Sequence, residues 1–121
     1  MNQTNVTSID FVPECVQKMN ERNVSGVTYT EGDFLKLNYP ENAFDVILDK
    51  GSFDAICLDT ESESQQKYNS YLVEQLRVLD PTNNGRFLIV SLLQAHVFDA
   101  LLDFFVRGKN NPLHESHVFD F

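Results

Sequence analysis

Short apolar runs alternate with stretches of helical spacing along the chain. Val6 to Phe11 reads as a strand that closes on an acid, Asp10. Val12, Cys15, Val16 and Met19 then recur as one face of a helix, with Pro13 suited to its first turn. Asn23 to Gly26 breaks that helix, and β-branched Val27 to Glu31 reads as a second strand. Phe44 to Asp49 is a third strand, whose continuous apolar centre predicts cover on both faces. Residues 51–63, rich in acids and serine, read as a loop. Tyr68, Tyr71, Leu72, Leu76 and Leu79 mark an amphipathic helix stopped before Pro81. After the Asn83-Asn84-Gly85 turn, Arg86 to Leu93 is expected to be the most buried strand. Phe98, Leu101, Leu102 and Phe105 give a last helix face closed by Gly108, and Glu115 to Phe121 reads as a final short strand.

Strands separated by helices predict an α/β fold with a largely parallel sheet and helices on both faces. The chain has 121 residues, 42% of them apolar and 22% charged, which suits one soluble globular domain. Nine basic against 18 acidic residues leave a formal charge of −9. That balance argues against nucleic acid and against an anionic membrane surface as partners. A basic protein or peptide substrate is compatible with it. No run approaches the roughly 20 apolar residues of a membrane span. Met1 to Asp10 lacks the basic and apolar regions of a secretory signal. Cys15 and Cys57 sit in apolar patterns and are expected to be buried, reduced thiols of a cytoplasmic protein. The glycosylation triplets at Asn2, Asn5 and Asn23 are then chance matches.

Candidate chemistry lies at the strand ends, because open α/β sheets bind ligands outside the carboxyl ends of their strands. Asp10, Asp33 and Asp49 stand at three such ends and are expected at one edge of one sheet. Singly, each is an ordinary turn or capping residue. An acid closing an early strand can also accept hydrogen bonds from both ribose hydroxyls of a nucleotide. Phe11 and Phe34, next to two of these acids, offer flat apolar surface for a base.

The segments Ile9–Phe11, Glu31–Phe34 (EGDF), Asp45–Ile56 (DVILDKGSFDAI) and Gly85–His96 (GRFLIVSLLQAH) together resemble class I S-adenosylmethionine-dependent methyltransferases. LDKGSFDAI and SLLQAHV resemble, more narrowly, the methyltransferase-like enzymes that modify lysine and the N-terminus of translation elongation factor 1-alpha. The resemblance implies a Rossmann-like, three-layer fold, with residues 1–121 forming part of a methyltransferase domain. It implies S-adenosylmethionine as cofactor and a protein substrate, elongation factor 1-alpha, methylated on lysine or the N-terminal amine. On the matching positions Asp10 would bind the ribose hydroxyls, with Phe11 beside it. Asp33 would face the adenine amino group and Phe34 would line the adenine pocket. Asp49, Lys50 and Gly51 would lie where the methionine end of the cofactor meets the target amine, and Asp54 would stand close by.

A glycine-rich turn normally precedes the ribose acid by about 20 residues. Asp10 stands too near Met1 for that, and none of the five glycines falls in a G-x-G spacing. The fold is therefore expected to be incomplete, without the first, central strand and its glycine-rich turn. Weak binding of S-adenosylmethionine is expected, and so are open sheet edges that invite self-association. The alternatives are a non-enzymatic interaction fragment, favoured by the absent turn, and a nicotinamide-dependent Rossmann oxidoreductase, which gives no reason for DKGSFDAI. His114-Glu115-Ser116-His117 lacks the zinc-protease spacing, so no metal site is expected.

Overall fold

The computed structural model describes residues 5–58 and 64–108. The chain divides into two compact units, Met1–Asn38 and Tyr39–Phe121.

The first unit runs β1 (Val6–Asp10), α1 (Pro13–Glu21) and β2 (Val27–Glu31). β1 and β2 pair in parallel from Val6 opposite Val27 to Asp10 opposite Glu31. Parallel neighbours need a crossover, and α1 supplies it. Pro13 opens that helix, where a backbone N–H would have no helical partner in any case. The return to β2 turns through Asn23 and Gly26, both at positive φ. Val16 and Met19 are half-buried, as their spacing predicts, but Cys15 is exposed. The expectation of a buried Cys15 is thereby corrected: two strands cover only a narrow stripe of α1, and no residue of the helix is fully buried.

The second unit runs β3 (Val46–Lys50), α2 (Ser52–Cys57), α3 (Ser64–Val78), a short 3-10 turn, β4 (Arg86–Val90) and α4 (Ala95–Leu101). α4 continues into a π-helical turn, Leu102–Val106. β3 and β4 are parallel, with Val46 opposite Arg86 and Lys50 opposite Val90. Phe53, Leu72, Val78, Val97 and Phe104, drawn from α2, α3, α4 and the π turn, form a fully buried centre.

Four expectations are corrected here. Residues 52–57 are helical rather than loop. The Ser52 and Phe53 N–H groups find an acceptor in the Asp49 carboxylate, and Phe53 anchors the segment in the core. β4 is not the most buried strand, and β3 is not covered on both faces. Val46, Leu48, Leu88 and Val90 are exposed, while Ile47, Asp49, Phe87 and Ile89 occupy the covered face. Alternate residues of a strand point to opposite faces, and the helices of this unit cover one. The three acids do not share a sheet either. β1–β2 and β3–β4 are separate two-stranded sheets. The expected strand Glu115–Phe121 and the motif His114–His117 lie outside the described residues.

Candidate functional site

Asp10 closes β1, and its Oδ1 accepts the Val12 N–H at 2.8 Å, a side-chain turn that leads the chain into α1. Its Oδ2 has no partner among the described residues. The Asp10 carbonyl accepts the Gly32 N–H at 3.0 Å, which ties the two strand ends together. Asp33 repeats the same device, its Oδ1 accepting the Leu35 N–H at 2.9 Å. Phe11, 67% exposed, meets Phe34 edge to face with ring centres 6.3 Å apart. Phe11, Glu31, Gly32 and Asp33 line a cleft of about 450 Å³. The structure thus gathers Asp10, Phe11, Asp33 and Phe34 at the carboxyl end of β1 and β2. It adds Glu31 and Gly32, which the strand pattern had absorbed into β2 and its turn.

At the end of β3 the same residue type is used differently. Asp49 is 4% exposed. Its Oδ1 accepts the Ser52 N–H at 2.9 Å, and its Oδ2 accepts the Phe53 N–H at 2.9 Å and the Tyr71 hydroxyl at 2.5 Å. With both oxygens engaged inside the unit, Asp49 is a positioning residue for the turn that follows it. Asp49, Lys50 and Gly51, expected where the methionine end of the cofactor meets the target amine, follow one another at the end of β3. Lys50 is exposed at the last pair of the ladder. Gly51 holds φ +86° and ψ −10°, a left-handed conformation that glycine adopts without strain. No atom lies within 4 Å of where a Cβ would stand on Gly51, so its backbone is open to approach.

Asp54, one turn into α2, reaches the end of β4. Its Oδ1 accepts the Ser91 hydroxyl and its Oδ2 accepts the Leu92 N–H at 3.0 Å. The two motif segments are therefore joined physically, although 37 residues separate Asp54 from Ser91. Burial, followed by the Asp54 and Asp49 carboxylates, pushes the Cys57 thiol up to about 12, so it stays protonated at neutral pH. Burial and then the bond to Asp49 likewise hold the Tyr71 hydroxyl far above the usual phenol range.

Tyr71 and Ser91 were not singled out from the sequence. By its spacing Tyr71 belongs to an apolar helix face, yet a buried tyrosine hydroxyl needs a polar partner. That requirement, set beside an acid ending an apolar strand, was the available signal. Among the described residues no group of three or more His, Cys, Asp or Glu side chains could hold a metal ion.

Parallel strands whose carboxyl ends carry an acid and an aromatic-walled cleft are the arrangement of a Rossmann-like α/β protein. The family described as a methyltransferase domain matches residues 1–104, and the chain belongs to that family. It is 37% identical over 102 residues to the eEF1A lysine and N-terminal methyltransferase homolog of Drosophila melanogaster, a match covering 82% of this chain and 15% of that protein. The eEF1A lysine and N-terminal methyltransferase of Xenopus laevis is also 37% identical, over 107 residues, covering 86% of this chain and 15% of that protein. The crystal structure of PH0226 protein from Pyrococcus horikoshii OT3 matches with a TM-score of 0.57 at 25% identity, over 70% of this chain and 37% of that chain. The chain thus spans about 15% of the length of these curated relatives. Family membership implies S-adenosylmethionine as the cofactor.

Proposed function

We propose that this chain supplies the adenosine-binding end and the β3–β4 edge of a cytoplasmic, S-adenosylmethionine-dependent protein methyltransferase that acts on a lysine or N-terminal amine of eEF1A. The reading is carried by one observation, the cleft beside Phe11 and Asp33 at the carboxyl end of β1. The residues present fit an adenosine group. Asp10 keeps an uncommitted oxygen for ribose hydroxyl donors, and exposed Phe11 offers its ring to a base. Asp33 and Glu31 are exposed acceptors suited to an amino group. Bound there, S-adenosylmethionine would supply a methyl group on a sulfonium centre. The chain's own contribution to such a transfer is alignment and exclusion of water. Asp49 and Tyr71 hold the Lys50–Gly51 turn, and the open face of Gly51 lets an acceptor amine approach the backbone.

The test is calorimetric titration of the 121-residue chain with S-adenosylmethionine and with 5′-methylthioadenosine, which keeps the adenosine and lacks the amino-acid end. No G-x-G turn in this sequence offers backbone amides to the methionine carboxylate. The two ligands are therefore expected to bind weakly and within about threefold of each other. Asp10→Ala is expected to weaken both by roughly tenfold or more, the usual loss for hydrogen bonds to a charged acceptor. Unchanged affinity in Asp10→Ala overturns the reading. Tight S-adenosylmethionine binding with weak methylthioadenosine binding overturns the assignment of the adenosine end.

A further inference from the structure

Lys50 and Val90 form the last pair of the β3–β4 ladder. Gly51 and Ser91 consequently leave the sheet side by side, at the edge where open α/β sheets bind ligands. The segment after Ser91 is shaped against its own residue types. Leu92 is 86% exposed, more than any other large apolar residue described. Leu93 adopts φ +48°, a conformation that side chains other than glycine, asparagine and aspartate rarely take. Three hydrogen bonds impose this bend: the Ser91 hydroxyl and the Leu92 N–H donate to Asp54, and the Leu93 N–H donates to Ser91 Oγ at 2.8 Å. Backbone strain of this kind persists only where the surroundings over-determine it. Here the surroundings are a half-buried carboxylate from α2, and the result is an exposed leucine two residues beyond the Lys50–Val90 pair after which Gly51 also leaves the sheet.

We propose that Leu92 is a specificity-determining contact for the acceptor protein and that Asp54 is the positioning residue that presents it. The proposal rests on the methyltransferase reading above and commits to eEF1A as occupant. A lysine side chain carries an apolar stem beneath its amine. Leu92 can cover such a stem, or the apolar neighbour of an N-terminal amine, while the amine itself passes over Gly51. The formal charge of −9 favours the approach of a basic segment to the chain.

Immobilised eEF1A is the probe, with binding of the wild-type chain compared with Leu92→Ala, Asp54→Asn, Ser91→Ala, Ser91→Thr and Leu58→Ala. Leu58 is the control, an apolar residue 62% exposed at the end of α2. Leu92→Ala is expected to weaken binding about tenfold, the size of one well-placed apolar contact. Asp54→Asn and Ser91→Ala should weaken it comparably, Ser91→Thr should restore it, and Leu58→Ala should leave it within about twofold. The near-ultraviolet circular dichroism signal, to which Tyr68 and Tyr71 of the same unit contribute, should stay constant across the set, which a loss of folding would not allow. Wild-type binding with no loss in Leu92→Ala overturns this proposal alone. Absence of wild-type binding overturns the eEF1A reading together with it.

Discussion

The two units place aspartates at equivalent points and use them in opposite ways. In the first, Asp10 and Asp33 each spend one oxygen on a backbone N–H two residues ahead, and the other oxygen has no partner among the described residues. In the second, Asp49 and Asp54 spend both oxygens on partners within the unit. Burial accounts for the difference. Leu37 is the one buried apolar residue described in the first unit, whereas the second encloses Phe53, Leu72, Val78, Val97 and Phe104. A carboxylate taken out of water must be matched by donors, so the strand-end acid of the well-packed unit becomes a fastener. In the thin unit, solvent satisfies the same group and leaves it available to a ligand.

Core truncation should separate the units most strongly. Phe53 is fully buried, stacked on Tyr71 at 5.9 Å and edge to face with Tyr68 at 6.3 Å. Phe53→Ala is expected to cost about 3–5 kcal/mol. Ile9, half-buried in β1, should cost about 1–2 kcal/mol as Ile9→Ala. Urea denaturation followed by tyrosine and amide signals from each unit measures both. Equal losses would show that the first unit has a core comparable to that of the second.

The two cysteines report the same contrast chemically. Cys15 is exposed on α1, while Cys57 is half-buried near the Asp54 and Asp49 carboxylates, which with burial raise it from 9.0 to about 12. Thiolate is the reactive form, so Cys57 should alkylate roughly a hundredfold or more slowly than an ordinary thiol at pH 8. Peptide mapping after brief iodoacetamide treatment should find Cys15 modified first. The raised value also has a consequence for stability. The folded chain keeps the Cys57 proton where the unfolded chain releases it, so this contribution is whole below pH 9 and is lost between pH 9 and 12. Comparable alkylation of the two cysteines, or stability that Cys57→Ser leaves equally pH-dependent in that window, would contradict the described surroundings of Cys57.

Much of this arrangement was legible in the residues, for identifiable reasons. β1, α1 and β2 follow from β-branched runs around a Pro-initiated helical face, and Asp10, Phe11, Asp33 and Phe34 do fall together because the parallel register aligns the strand ends. Burial of β3 and β4 was misjudged because an apolar run reports what a strand could bury, whereas cover depends on which helices the unit contains. α2 was missed because Ser52 and Asp54 look like loop residues until the Asp49 carboxylate is seen to accept the N–H groups of Ser52 and Phe53. The Asp54–Ser91 clasp joins positions 37 apart. Local periodicity carries no signal for a contact of that range, and only the co-occurrence of the two motifs hinted at it.

Glycine substitutions give the smallest and most specific separation of the two strand ends. At Gly32 in the first unit, an added Cβ would stand 2.9 Å from Ile9 Cγ2, a collision with one side chain. At Gly51 in the second, an added Cβ meets nothing within 4 Å, and the obstacle is the backbone itself at φ +86°. Gly51→Ala should therefore cost about 1–2 kcal/mol, the usual penalty for a left-handed L-residue. Gly51→Asn should cost less, because asparagine tolerates that region. The penalty of Gly32→Ala should vanish in an Ile9→Ala background, which removes the colliding methyl, while that of Gly51→Ala should persist there unchanged. Equal costs for alanine and asparagine at position 51 would mean that something other than torsion resists substitution. The open approach over Gly51, on which the acceptor geometry depends, would then be closed.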